Sequence, residues 1–261
     1  MQKIKLQSFK KLLSIQSVSY KEDKMIEYIL WIIISKWYEY SLDDIGNITI
    51  TKWKSDSYTC ILAHLDTVHA INKNMRVFEN ITEDWLTSLY GVDITTREYA
   101  WIGWDDKCWI FIALELLDSF DTIKVYFTVQ EEIGCKGSQF ISDSFFNDVS
   151  CFVMFDEPWN TACNLIVGGL KWDVVLFDIE STIYTKNQSI FNRYWYIIQS
   201  LWWTTDIGIL SERFWIPWFL LSCWYYNMHK PYEYIIVEDV DRALKLWKSL
   251  IKNLQKLSNK K

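Results

Sequence analysis

The chain has 261 residues, half of them apolar and 23% charged, which suits a soluble globular protein with one large α/β core or two small ones. A net charge of −6 argues against a nucleic-acid partner or an anionic membrane surface. Six cysteines (Cys60, Cys108, Cys135, Cys151, Cys163 and Cys223) lack metal-finger spacing, so reduced thiols in a cytoplasmic protein are expected and a disulfide framework is not.

The N-terminus carries no apolar core of signal-peptide length, and the apolar run Met25 to Ser35 falls short of the roughly 20 residues that cross a bilayer. Helices are expected over Ile4–Leu13 and Lys21 to about Lys36. Asn47–Lys52 alternates as a strand does, and Tyr58–Ala63 reads as a short buried strand. Lys107–Leu117 is an apolar helix. Thr122–Val129 and Cys151–Phe155 are strands, and Trp218–Ser222 is a further core strand. The last helix runs from about Val237 to Leu257, with Val240, Leu244, Trp247, Ile251, Leu254 and Leu257 on one face. No repeat or linker divides the chain. The alternation predicts one three-layer α/β/α domain over 1–261 with a mixed, largely parallel sheet.

Three motifs follow predicted strands: Leu-Ala-His64-Leu-Asp66, Gln-Glu131-Glu132-Ile-Gly, and Val-Met-Phe-Asp156. Ligands bind open α/β sheets at the carboxyl ends of their strands, so these motifs should converge. Asp105 in Gly-Trp-Asp105-Asp106-Lys and His229 in Tyr-Tyr-Asn-Met-His229-Lys-Pro-Tyr-Glu-Tyr complete a set of two imidazoles and several carboxylates. Taken singly, each has an ordinary reading as a cap, turn or core residue. Together they suit a pair of zinc-like ions about 3.5–4 Å apart with a carboxylate left over for proton transfer. His69 reads as a loop residue or substrate neighbour.

On these motifs, with Leu-Leu-Ser-Ile-Gln-Ser-Val-Ser-Tyr-Lys-Glu and Asp44-Ile-Gly-Asn-Ile before them, nearly the whole chain resembles the co-catalytic two-zinc exopeptidases. That group includes tripeptide aminopeptidases, dipeptidases and aminoacylases. The resemblance implies two divalent ions, zinc above all with cobalt or manganese as alternatives. It implies His64 and Asp156 on the first ion, Asp105 as the bridge, and Glu132 and His229 on the second. Asp66 would orient His64, and Glu131 would be the general base for a hydroxide held between the metals. Asp156, where other members have Glu, implies an aminopeptidase or tripeptidase acting on short peptides. An N-acyl amino-acid amidohydrolase is the alternative enzyme, and a non-catalytic, metal-stabilised binding module the alternative from another class. Only 73 positions (156 to 229) separate the last two motifs, too few for the dimer-forming lid domain of many relatives. A catalytic domain alone is expected, as a monomer or a lid-independent dimer.

Tryptophan departs from this pattern. There are 16 Trp and only 8 Gly, and the two together come to about 9%, near the usual ~7% for glycine alone. Trp53, Trp104, Trp109, Trp215 and Trp224 stand where turn chemistry or the family pattern calls for glycine, and Trp37, Trp159 and Trp202-Trp203 look alike. Positive φ and close backbone approach suit glycine and not an indole. The composition reads as a UGA codon that the source decodes as glycine.

Overall fold

A computed structural model describes residues 5–154, 156, 162–166, 189–190, 193, 197–198, 205–221 and 226–258. The N-terminal helices α1 (Leu6–Leu13) and α2 (Asp23–Ser35) bury Phe9, Leu12 and Leu13, and Met25, Ile29 and Ile33. Then come β1 (Glu39–Leu42), β2 (Ile48–Lys52), β3 (Tyr58–His64), β4 (Met75–Ile81), β5 (Thr87–Asp93), β6 (Tyr99–Ala100) and α3 (Trp104–Ser119). They are followed by β7 (Ile123–Thr128), β8 (Val149–Met154), β9 (Ala162–Ile166), β10 (Ile197–Ile198), α4 (Asp206–Phe214), β11 (Trp218–Leu221), β12 (Tyr234–Ile236) and α5 (Val237–Ser258).

The main sheet has the order β1-β2-β7-β3-β8-β11-β9-β10. Its centre, β7-β3-β8-β11, is parallel; towards the edges β2 is antiparallel to β7 and β1 to β2, and β9 is antiparallel to β11 but parallel to β10. Every residue of β3 and β7 is buried, as strands covered on both faces require. Helix α5 contributes Val240, Leu244, Trp247 and Ile251 to the core, with the Trp247 indole 5.8 Å from that of Trp109 on α3. Burying each such large side chain contributes about 1.5–3 kcal/mol. The expected mixed, largely parallel α/β sheet is therefore present.

The second sheet was not expected. β4 and β5 form a hairpin, joined by β12 and β6, so that the segment after His229 pairs Tyr234 with Tyr90.

Among the described residues four tryptophans occupy the left-handed region: Trp37 (φ 59°), Trp53 (60°), Trp85 (61°) and Trp215 (57°). Trp37 ends α2 with its own N–H on the Ile34 carbonyl and the next N–H on Ile33, the pairing that glycine normally supports. Trp85 closes the β4–β5 turn and Trp215 caps α4. Trp104 and Trp109 lie in α3, fully buried and outside the left-handed region, and the Trp109 indole approaches the Leu62 carbonyl closely. Trp159, Trp202, Trp203 and Trp224 lie outside the described residues.

Candidate metal centre

Strands β7, β3 and β8 are adjacent and parallel, so their carboxyl ends open on one edge. His64 is the last residue of β3, Glu131 and Glu132 follow β7, and Asp156 follows β8. The carboxyl-end rule places all three motifs together for topological reasons. Asp105 arrives from the first turn of α3 and His229 from the segment before β12.

Asp105 sits between the two imidazoles. Its Oδ1 is 3.1 Å from His64 Nε2 and its Oδ2 is 3.2 Å from His229 Nε2. Glu132 Oε1 lies 3.7 Å from the same His229 nitrogen. Donor atoms of His64, Asp105 and Glu132 fall within 4.8 Å of one another, and so do those of His64, Glu131 and Asp156. The second trio includes Glu131, to which the sequence reading gives proton transfer. Glu132 Oε1 is buried and has no hydrogen-bond partner among the described residues. An orphaned carboxylate oxygen facing two imidazoles and further carboxylates fits a divalent cation.

Asp66 is the anchor beneath. Its Oδ1 accepts the Glu131 N–H (2.9 Å), and its Oδ2 accepts the Glu132 N–H (3.2 Å) and the Ser19 hydroxyl (2.6 Å). The contact with His64 differs from a simple carboxylate buttress: His64 Nδ1 is 3.0 Å from the Asp66 main-chain oxygen and 3.5 Å from Oδ1. The carboxylate is already committed to the two glutamate backbones. Asp106, the twin of Asp105, accepts the His64 backbone N–H at 3.1 Å.

The electrostatics follow from this crowding. Burial would raise Asp105, but its hydrogen bonds with His229 and His64 hold it down at about 2. Burial pushes Glu131 up to about 7, against the pull of His64 and helped by the charges of Asp206 and Asp105. Burial, then Asp105, pushes Glu132 up to about 8. Asp156 is pushed well above the carboxylate range by burial and by Glu131 and Asp105. Too many acids share too small a space for all to ionise without a cation.

Four supporting residues escaped the sequence reading. Ser19 holds Asp66. Asp206, fully buried at the start of α4, accepts the Thr128 hydroxyl and bears on Glu131. Lys107, buried in α3, donates to the carbonyls of Ile102 (2.9 Å) and Leu13 (3.3 Å). Glu233 accepts the Gly103 N–H. Asp206 looks like a helix cap in sequence, whereas Glu233 lies inside the His229 motif and carried a positional signal. His69, the third histidine, is buried beside Trp101 with Nε2 lacking a partner among the described residues.

No family model and no curated protein matches the chain. Solved structures do. A tripeptidase from Staphylococcus aureus aligns with 95% of this chain and 98% of its own at a TM-score of 0.69 and 14% identity. The chain shares its fold with this tripeptidase. Aminopeptidase PepT from Bacillus cereus aligns with 96% of this chain and 98% of its own, again at 0.69 and 14% identity. A dinuclear metal-binding peptidase of the M20 family from Bacillus subtilis aligns with 94% and 96% at a TM-score of 0.59 and 11% identity. Among the described residues no helix is long and apolar enough to cross a membrane.

Proposed function

We propose that the chain is a two-metal exopeptidase that cleaves short peptides in the manner of an aminopeptidase or tripeptidase. The observation that carries the reading is Asp105, one carboxylate whose two oxygens face two different imidazoles. His64 and Asp156 would hold one ion, Glu132 and His229 the other, and Asp105 both. The fold, with tripeptidase and aminopeptidase neighbours, supports the substrate class.

Bound there, a pair of divalent ions, zinc in this proposal, supplies a Lewis acid for the carbonyl and an acidified water. Glu131 accepts the proton from the water that attacks the scissile carbonyl. It then delivers that proton to the departing amine nitrogen as the C–N bond breaks. With no cation bound, burial raises the Glu131 carboxyl to about 7, and bound cations would draw it down towards the ionised form that accepts a proton. Asp66, by gripping the backbone N–H groups of Glu131 and Glu132, fixes the two side chains in their separate directions.

Adjacent glutamates should therefore fail differently. Glu131→Gln should leave metal content unchanged and lower turnover by about 10²–10⁴-fold. Glu132→Gln should lose one ion and regain rate in excess zinc. Metal analysis beside turnover of a tripeptide and of an N-acetyl amino acid tests both roles and the substrate. Loss of metal from Glu131→Gln alone reverses the assignment, and acetate release without peptide cleavage replaces the exopeptidase with an amidohydrolase. Full activity in both variants ends the peptidase reading.

A further inference from the structure

Two segments far apart in sequence present Asp105 and His229, and both depend on one buried side chain. Glu233 is 2% exposed, and its Oε1 accepts the backbone N–H of Gly103, the residue that turns the chain into α3. Gly103 has φ +65°, and a Cβ there would come within 2.9 Å of Thr67, 2.8 Å of the Lys107 ammonium and 2.7 Å of His69. The turn is thus caged on three sides and tied on the fourth. Lys107 fastens it from behind through the carbonyl of Ile102, directly before Gly103.

The other end of the tie is equally closed. Residues 226–234 fold back on themselves, with Lys230 N–H on Asn227 O, Glu233 N–H on Lys230 O and Tyr234 N–H on Tyr226 O. The Tyr226 and Tyr234 rings stack 4.6 Å apart, and His229 stands within that loop at φ 55°. A second link runs the same way, from the Trp104 indole to the Tyr226 carbonyl at 3.2 Å.

We propose that Glu233 is a positioning residue that sets the spacing of Asp105 and His229 by tying the Gly103 turn to the 226–234 loop. The inference rests on the ligand roles proposed above for those two residues. It belongs to a side chain outside the donor set, and it makes a specific demand: the ion on the His229 side, which would lose the placing of two ligands, depends on Glu233 more than the ion on the His64 side, which shares only Asp105.

The test is divalent-ion binding by the metal-free protein, read by calorimetric titration with Zn²⁺ and with Co²⁺, beside thermal melts of the same metal-free samples. Glu233→Ala should weaken one of two binding events by about 10–100-fold, the usual cost of removing an outer-shell partner, and the other by a smaller factor. Glu233→Gln keeps an oxygen to accept the Gly103 N–H and should recover most of the loss. Should Glu233→Ala fail to fold, Glu233→Asp, which draws the oxygens back by one methylene, carries the same expectation. Two unchanged affinities in the alanine variant overturn the inference. So does an equal fall in both with a lowered melt, which marks a merely structural residue, and so does a glutamine variant as weak as alanine. If the unaltered protein takes up no divalent ion, the ligand roles themselves are wrong.

Discussion

Replacing the four left-handed tryptophans by glycine should stabilise the protein. Holding an L-residue with a Cβ in the left-handed region costs roughly 1–2 kcal/mol, and glycine gives back about 0.5–1 through its freer unfolded state. The net gain is about 0.5–1 kcal/mol per site. Little burial is lost in exchange, because Trp37, Trp53, Trp85 and Trp215 are 93%, 75%, 86% and 63% exposed. The four sites sit on different turns, so their effects should add to about 2–4 kcal/mol. For a chain of this size that raises the melting temperature by roughly 4–8 °C. Circular dichroism is the right probe, since the substitutions remove fluorophores. Trp31 is the control: it is as exposed as Trp215 but lies inside α2, so Trp31→Gly should cost about 1 kcal/mol. An unchanged or lowered melt in the quadruple variant refutes the conformational argument. The same reasoning expects UGA at codons 37, 53, 85 and 215, read as glycine in the source, and UGG at those codons ends that part of it.

Two further substitutions test the frame around the site. Asn47 is buried, accepts the Val129 N–H at 3.0 Å and donates to the Gly137 carbonyl at 3.0 Å, pinning both ends of the Glu131 loop. Asn47→Ala should cost about 1–3 kcal/mol in denaturant unfolding by stranding the Val129 N–H, the Gly137 carbonyl keeping the Tyr126 hydroxyl and the Phe140 N–H, and should lower turnover as well; a wild-type midpoint would show that the loop is held elsewhere. Asp93 accepts from the Asn72 side chain and from the backbone N–H groups of Thr95 and Thr96, which lower its folded-state pKa. Its contribution should be complete above the unfolded value of about 3.9 and vanish as pH falls through the lower folded value, so wild type and Asp93→Asn should differ near neutrality and converge in acid. Convergence at neutral pH would contradict the sign.

What the sequence made legible follows the physics of each element. β3, β7 and β8 are continuous apolar runs, and their ends carry the His64, Glu131 and Asp156 motifs, so the convergence could be inferred from strand polarity alone. The β4–β5 hairpin could not. Its exposed residues mix polar Arg76, Glu79 and Asn80 with apolar Phe78 and Ile81, and its turn residue, where glycine would have signalled a hairpin, is Trp85. α4 was missed because it is nine residues long with Gly208 inside it. Within the candidate site, the motifs pointed to side chains that the fold brings together, but the contacts of Ser19 and Asp206 arise only from tertiary approach across dozens of residues.

The contacts at Asp66 change how the N-terminus should be regarded. Ser19 reaches its carboxylate, the Ser17 carbonyl receives the Thr67 N–H at 2.9 Å, and the Leu13 carbonyl receives Lys107. Leu13, Ser17 and Ser19 are thus masonry in the wall of the candidate metal centre. Proteolytic nicking or shortening of the chain before Tyr20 would open the site from beneath while leaving every donor side chain in the sequence.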